Sequence, residues 1–515
     1  MRNWIALWAA VGVVATSCVS APATTTSTTT ATPSVTTSTT VPSTTVTTRP
    51  LEAGQADSCP SVEPGLGDTL FTGLGNSGFE VELYEITLQF LIPPDVTQRR
   101  TFTGGAVVHA NATESLLAFN LDAAGLEISS VAVDGVEAKF CVTETELTVV
   151  PPTPIGSGSS FTTTVAYSGT ARPRSDLDGL NSGLIRSGTG MYAIDQPNGA
   201  SSWFPANDHP LDRAGFVLSI TVPTDLEVVS GGDLTTTDRG QSTSTYTWTI
   251  TEPTIPYLLP FAIGRFDEAS ETGDDGTQYR YYFEEGASGT ATSSFSQMPR
   301  ILEHFETHFG DYPFEFAGAI VAASGHPAAL ETQPLHTYSD FILDEAFNGP
   351  TSVIAHETAH QWFGNWVAVA DWSDIWLNEG FATWAEYLWL EEARGVDEAN
   401  SRIAFDYRNW VEAVRNQGFS PPGVVPGPGA LFNPSVYVWG GLTLVALRDF
   451  VGDDVFFDIL RTWVDRFGGS NVRTGDFLDL VEEKAGMAAR ELVELWLYSE
   501  TVPPLPARGL GVEGG

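Results

Sequence analysis

The chain has 515 residues, 42% hydrophobic and 11% aromatic, long enough for two or three domains and apolar enough for real cores. It sets 24 basic residues against 64 acidic ones, a formal net charge of −40, and only Lys139 and Lys484 are lysines. A surface this negative repels phosphate backbones and anionic headgroups, so no nucleic-acid partner is expected and a membrane is expected only through a lipid anchor.

The chain opens with Arg2 and an apolar run from Trp4 to Ala15, which fits an export signal over residues 1–17 and is too short for a permanent membrane span. Its end, Ala15-Thr16-Ser17-Cys18, resembles a bacterial lipobox, in which the cysteine becomes the lipidated mature N-terminus. Alanine stands where leucine is commoner, and ordinary cleavage near Ala21 is the alternative. Residues 18–50 form a Thr/Ser/Pro-rich stretch with too little apolar surface to offset ordering; it is expected to be an extended stalk. The expected location is extracellular, as an envelope lipoprotein held through Cys18 or as a fully secreted protein. Cys59 and Cys141 then remain, able to form one disulfide in an oxidising compartment or to stay as two thiols.

Residues 51–264 read as an N-terminal β-sheet domain. FEVELYEITLQFLI, AVVHANA, SFTTTVAYSG, FVLSITVP and STYTWTIT alternate apolar and polar residues, with Gly, Asp, Asn and Pro between them; the expectation is an antiparallel sheet. Residues 265–505 read as mainly helical, through SSFSQMPRILEHFETHFG, PTSVIAHETAHQWFGNWV, DIWLNEGFATWAEYLWLEEARG, SVYVWGGLTLVALRDFVG, DDVFFDILRTWVDRFG and two shorter segments up to Ser499. Pro350 suits a first helical turn, Ser435 is placed to cap the helix carrying Tyr437, and Gly395 and Gly452 sit just past helix ends. The fold class is α+β.

The most specific chemical signal is His356-Glu357-Thr358-Ala359-His360. Positions i and i+4 of a helix share one face about 6 Å apart, so both imidazoles can reach one metal ion, and Glu357 falls beside the open coordination position, where it can accept a proton from water. A catalytic zinc needs a third protein ligand. Glu379 lies nineteen residues after His360, far enough for one helix to end and a second to bring a carboxylate to the same ion. Glu386, seven residues further on, lies on the same helical face; it either hydrogen-bonds a ligand histidine or faces solvent. The other six histidines show no ligand spacing.

HETAHQWFGNWV with Glu379 of WLNEGFA resembles the gluzincin zinc aminopeptidases, the family of aminopeptidase N and leukotriene hydrolase. ASSWFPANDHPLDRAGFVLSITVP resembles that family's Phe-Pro-x-x-Asp-x-Pro segment, GNSGFEVELYEITLQF its opening strand, and SVYVWGG its Tyr-x-x-Gly stretch. The similarity covers roughly residues 70 to 500. It implies a thermolysin-like catalytic domain, one Zn²⁺ per chain on His356, His360 and Glu379, Glu357 as base, and Tyr437 as donor to the developing oxyanion. It also implies that Glu331 binds the substrate's α-amine and that Gln196, nine residues before Pro205, assists. Here the family's Gly-x-Met-Glu-Asn motif is Ala328-Ala329-Leu330-Glu331-Thr332, keeping only the glutamate. Many relatives continue into a large helical domain over the active site; this chain has the look of a short bacterial form with a more open cleft.

The expected function is an extracellular zinc aminopeptidase acting on peptides. The altered motif leaves room for a peptidase of the same family without strict need for a free N-terminus. An inactive surface binding protein on the same scaffold would be expected to have lost zinc ligands, and none is lost.

Overall fold

The computed structural model describes residues 58–91, 100–177, 180–343 and 350–511. The export run, the stalk and Cys18 lie outside them.

The first half is built on an eight-stranded sheet. Its central strand, Phe79–Leu91, alternates buried and exposed side chains along nearly its whole length, as a period of two requires. It pairs antiparallel with Thr101–Ala112 and, on its other side, parallel with Ala214–Pro223. The parallel pair departs from the expected antiparallel arrangement, because the long intervening chain returns as a crossover rather than as a hairpin. A five-stranded sheet and a three-stranded sheet complete this half. Cys59 and Cys141 are joined as a disulfide, with Cα atoms 5.9 Å apart.

The second half opens on a sheet the helical reading did not anticipate. Phe266–Thr272, Gln278–Glu284, Phe316–Ala322, Leu335–Ser339 and Ala329–Leu330 lie side by side in that order. Phe316–Ala322 is buried at every position, so it carries no alternation to reveal it. Helices follow: α1 (Met298–Phe309), α2 (Pro350–His360), α3 (Trp376–Arg394), α4 (Val396–Gln417), α5 (Gly440–Val451), α6 (Asp453–Phe467), α7 (Thr474–Ala485) and α8 (Met487–Tyr498). The 22-residue α4 is absent from the sequence reading, which took Gly395 as a stop; Gly395, at φ 95°, closes α3 and opens α4 in one step. Ser435 does not cap. The chain enters α5 through a π-turn, Ser435–Trp439, and the Ser435 N–H is itself taken by Asn433 Oδ1 at 3.1 Å.

Beneath the Phe204-Pro205 segment the first half buries acids with no cationic partner within hydrogen-bond reach among the described residues. Asp122 accepts the Asp208 N–H at 2.9 Å, and Asn76 Nδ2 donates to both Asp122 and Glu146. Asp212 accepts the Val81 N–H at 3.4 Å. Burial raises the carboxyl of Asp122 well above the carboxylate range, those of Glu146 and Asp212 to about 7, and that of Asp208 to about 6. Asp371 goes the other way: against the effect of burial, hydrogen bonds from Ser373, Thr69 and Arg473 hold it at about 2. A carboxyl raised by folding stabilises the fold fully below its unfolded value near 4 and loses that contribution as pH rises through the folded value. Asp371 loses its contribution only as pH falls toward 2. Unfolding of the metal-free protein is therefore predicted to show a Tm higher at pH 5 than at pH 8, by on the order of 5 °C. Calorimetry at constant ionic strength checks this; an equal or higher Tm at pH 8 would contradict it.

Candidate metal centre and active site

α2 presents His356 and His360 one turn apart, with ring centroids 4.8 Å from each other. α3 packs across it and brings Glu379 Oε2 to 3.3 Å from His356 Nε2 and 3.4 Å from His360 Nε2. All three side chains are buried, and one donor atom from each lies within 4.8 Å of the others.

The remaining ring nitrogens decide whether these donors suit a metal. His356 Nδ1 sits 3.0 Å from Glu386 Oε1, and His360 Nδ1 sits 3.0 Å from the Phe363 carbonyl. A carboxylate and a carbonyl only accept, so each Nδ1 carries a hydrogen, which leaves each Nε2 as the nitrogen able to offer a lone pair to a metal. Two neutral imidazoles and a carboxylate, buried together and each oriented from behind, are the donor set of a catalytic zinc. Of the two readings open for Glu386, the one realised is contact with His356; Ser352 Oγ donates to its other oxygen. Gly364, at φ 134°, carries the turn after α2, and a side chain there would press within 3.2 Å of His360 Nδ1.

Glu357 is buried beside the three ligands. Burial pushes its carboxyl up to about 8, against the pull of the two imidazoles; a divalent ion on the ligands draws it back down. Glu379 is held at about 2, the imidazoles overcoming the effect of burial. Tyr437 stacks with its ring centroid 6.0 Å from that of His356. Burial first, then Glu379, Glu331 and Glu357, keep its hydroxyl protonated and able to donate. A close approach of two helices sets this position: a Cβ on Gly380 of α3 would meet the Gly440 backbone at 2.9 Å, and the reverse holds for Gly440. No larger residue lets the π-turn carrying Tyr437 come so near Glu379.

Glu331 follows the short strand Ala329–Leu330 at the edge of the second-half sheet and is buried beside the ligands. Glu331, Glu357 and His360 also offer ligand atoms within 4.8 Å of one another. From the first half, Gln196 Nε2 donates to Glu331 Oε1 at 3.0 Å. The sequence reading missed what holds Glu331 in place. Gln361 Nε2 and Asn365 Nδ2, just beyond α2, both donate to its backbone carbonyl, at 3.0 and 2.6 Å. Their proximity in sequence to His360 was the available signal. All eight site residues named from sequence are thus brought together around His356, His360 and Glu331. Of the remaining histidines, His336 bonds to Tyr338 and His209 to Asp68.

Residues 294–496 match the Peptidase family M1 domain, and residues 80–258 match the Peptidase M1 N-terminal domain. A crystal structure of an M1 zinc metallopeptidase from Deinococcus radiodurans superposes with a TM-score of 0.77 at 29% identity, covering 86% of this chain and 99% of that one. The chain belongs to the M1 peptidase family. Rice aminopeptidase M1-A is 26% identical over 78% of this chain and 49% of its own length. Chicken aminopeptidase Ey is 27% identical over 78% of this chain and 45% of its own. The chain therefore spans about half the length of these curated M1 relatives. Another crystal structure of the Deinococcus enzyme, of a substituted variant, holds a Tyr-Ser-Ala substrate.

In an M1 site built this way, the contact behind His356 sets the metal affinity. Glu386→Ala is predicted to weaken zinc binding by about 10- to 100-fold while leaving the three ligands in place. Competition titration against a chelator measures this; unchanged affinity would mean that Glu386 does not support the metal.

Proposed function

We propose that the chain is an extracellular zinc aminopeptidase that removes N-terminal residues from peptides. The single observation that carries this reading is the Glu331–Gln196 pair, a buried carboxylate set across the metal cavity where it can close on a free α-amine. The residues 21 to 50, the export-type start and the Cys59–Cys141 pair are the support for the extracellular placement and for the stalk, with Cys18 as its lipid attachment. Residues 51–264 and 265–505 are taken as the two domains.

Zinc, when bound, supplies Lewis acidity for the scissile carbonyl and for the attacking water. Glu357 takes a proton from that water and delivers it to the leaving nitrogen. The Tyr437 hydroxyl donates to the carbonyl oxygen as negative charge develops there. Glu331 and Gln196 hold the α-ammonium, so that the first peptide bond is the one presented to Glu357. Ala-Ala-Leu-Glu-Thr in place of the family motif favours the second reading, a peptidase without strict need for a free N-terminus.

One peptide, offered with and without N-acetylation, separates the two: the acetylated form is expected to be cleaved at least 100-fold more slowly, and equal rates would end the aminopeptidase reading. Glu357→Gln is predicted to keep its zinc while kcat falls by three or more orders of magnitude, as expected when only the base is lost. Metal analysis of the same preparation is the control, and a metal-loaded, active variant would contradict the mechanism.

A further inference from the structure

Residues 59–76 form a strap that is fastened to the first half at both ends and touches the second half between them. At one end Cys59 is joined to Cys141, in the strand Lys139–Val142 of the three-stranded sheet. At the other, the Asn76 N–H donates to Asn207 Oδ1 at 2.6 Å, and the chain enters the strand Phe79–Leu91. Between these ends the segment turns back on itself, with the Gly65 N–H on the Gly75 carbonyl at 2.8 Å. The tip of the turn sets Asp68, Thr69 and Phe71 against the helical half.

Asp68, 3% exposed, is the hub of that contact. Its Oδ1 takes the Leu70 and Phe71 N–H groups at 2.8 and 2.6 Å, which closes the tip on itself. Its Oδ2 takes the Trp372 N–H at 2.7 Å and lies 3.4 Å from His209 Nε2. Thr69 adds its N–H and hydroxyl to Asp371, and the Phe71 ring meets the Trp372 indole edge-on, with centroids 6.4 Å apart. Trp372 opens the single 3-10 turn Trp372–Asp374 directly before α3. Its carbonyl accepts the Ile375 N–H at 3.2 Å, and the Ile375 carbonyl accepts the Glu379 N–H at 3.1 Å. The first turn of a helix has no preceding turn to hold its N–H groups, so its placement depends on the residues before it. An unbroken hydrogen-bonded path thus leads from Asp68 to the backbone of a candidate zinc ligand.

We propose that this strap positions Glu379 for the metal, with Asp68 as the positioning residue, and that the Cys59–Cys141 bond keeps the strap seated. Asp68 acts through Trp372 and touches neither metal nor substrate. With both ends fastened, a strap that lifts away stays close to its seat. With Cys59 released, the lifted state gains conformational freedom and competes better with the seated one. Closing the bond takes one hydrogen from each thiol; the two electrons and two protons pass to a disulfide-bearing oxidant, which leaves as a dithiol. Zinc retention then follows the redox state of two cysteines far in sequence from every ligand. The inference rests on the metal site and holds whether or not a free N-terminus is required.

The test is zinc affinity, measured by competition against a chelator on the full chain with its disulfide closed. Asp68→Asn leaves one acceptor oxygen where two are needed, and is expected to weaken zinc binding at least about tenfold. The Cys59→Ser/Cys141→Ser variant removes the bond without leaving thiols that bind zinc, and is expected to weaken it at least about threefold. Val131→Ala, in the core of the first half, is expected to lower Tm and leave the affinity unchanged. Unchanged affinity in Asp68→Asn overturns the positioning role, and unchanged affinity in the cysteine variant overturns the fastening. An equal loss in Val131→Ala also overturns the proposal, because general destabilisation would then account for it. Should a variant not fold, amide hydrogen exchange of residues 372–379 in the metal-free wild type decides. It is expected to be faster once the disulfide is reduced, and equal rates overturn the proposal. A wild type that binds no zinc sinks the metal site itself, and this proposal with it.

Discussion

Three carboxylates, Glu331, Glu357 and Glu379, lie buried around two imidazoles, and no lysine or arginine among the described residues forms an ion pair with any of them. Taking ionised groups out of water costs several kcal/mol each unless a counter-charge comes with them. Within the protein only the imidazoles oppose these charges, and they do so by holding on to protons. A divalent cation on His356, His360 and Glu379 supplies the missing charge and frees the imidazoles to be neutral ligands. The fold around the cavity makes sense as a way of keeping these groups together despite their repulsion. α2 supplies one face, α3 crosses it, and the Gly380–Gly440 contact lets the turn with Tyr437 close in from the third side.

The two halves divide the labour. The helical half holds the candidate zinc ligands and Glu357; the strand half supplies Gln196, which bonds to Glu331. Such a division works only if the halves keep their relative position. Buried polar clasps hold them: Asp68 accepts the Trp372 N–H at 2.7 Å, Thr69 donates to Asp371 through both its N–H and its hydroxyl, and Asn471 Nδ2 donates to the Pro210 carbonyl. Each costs a buried polar group its partner if the halves separate, so the clasps favour a fixed cleft over a hinged one.

What could be read from the sequence was what is local. Two histidines at i and i+4 announce themselves because a helix turns every 3.6 residues, and Glu379 and Glu386 follow from the same period on the next helix. The alternation of Phe79–Leu91 was equally plain. Features set by distant contacts were not: Phe316–Ala322 is buried on both faces and has no period, and the parallel strand pair depends on how a long segment returns. Gln361 and Asn365 act on a backbone carbonyl, which leaves no trace in the identity of Glu331's neighbours. The same fact explains how Glu331 keeps its place while the residues around it differ from the family motif, since side chains from beyond α2 fix its backbone.

The account stands or falls on the cation. Anomalous diffraction at the zinc edge from crystals of the purified protein tests it most directly. One ion is predicted, at about 2.0–2.2 Å from His356 Nε2, His360 Nε2 and a Glu379 oxygen. An ion seated instead on Glu331, Glu357 and His360, or no ion after zinc has been supplied, would contradict it.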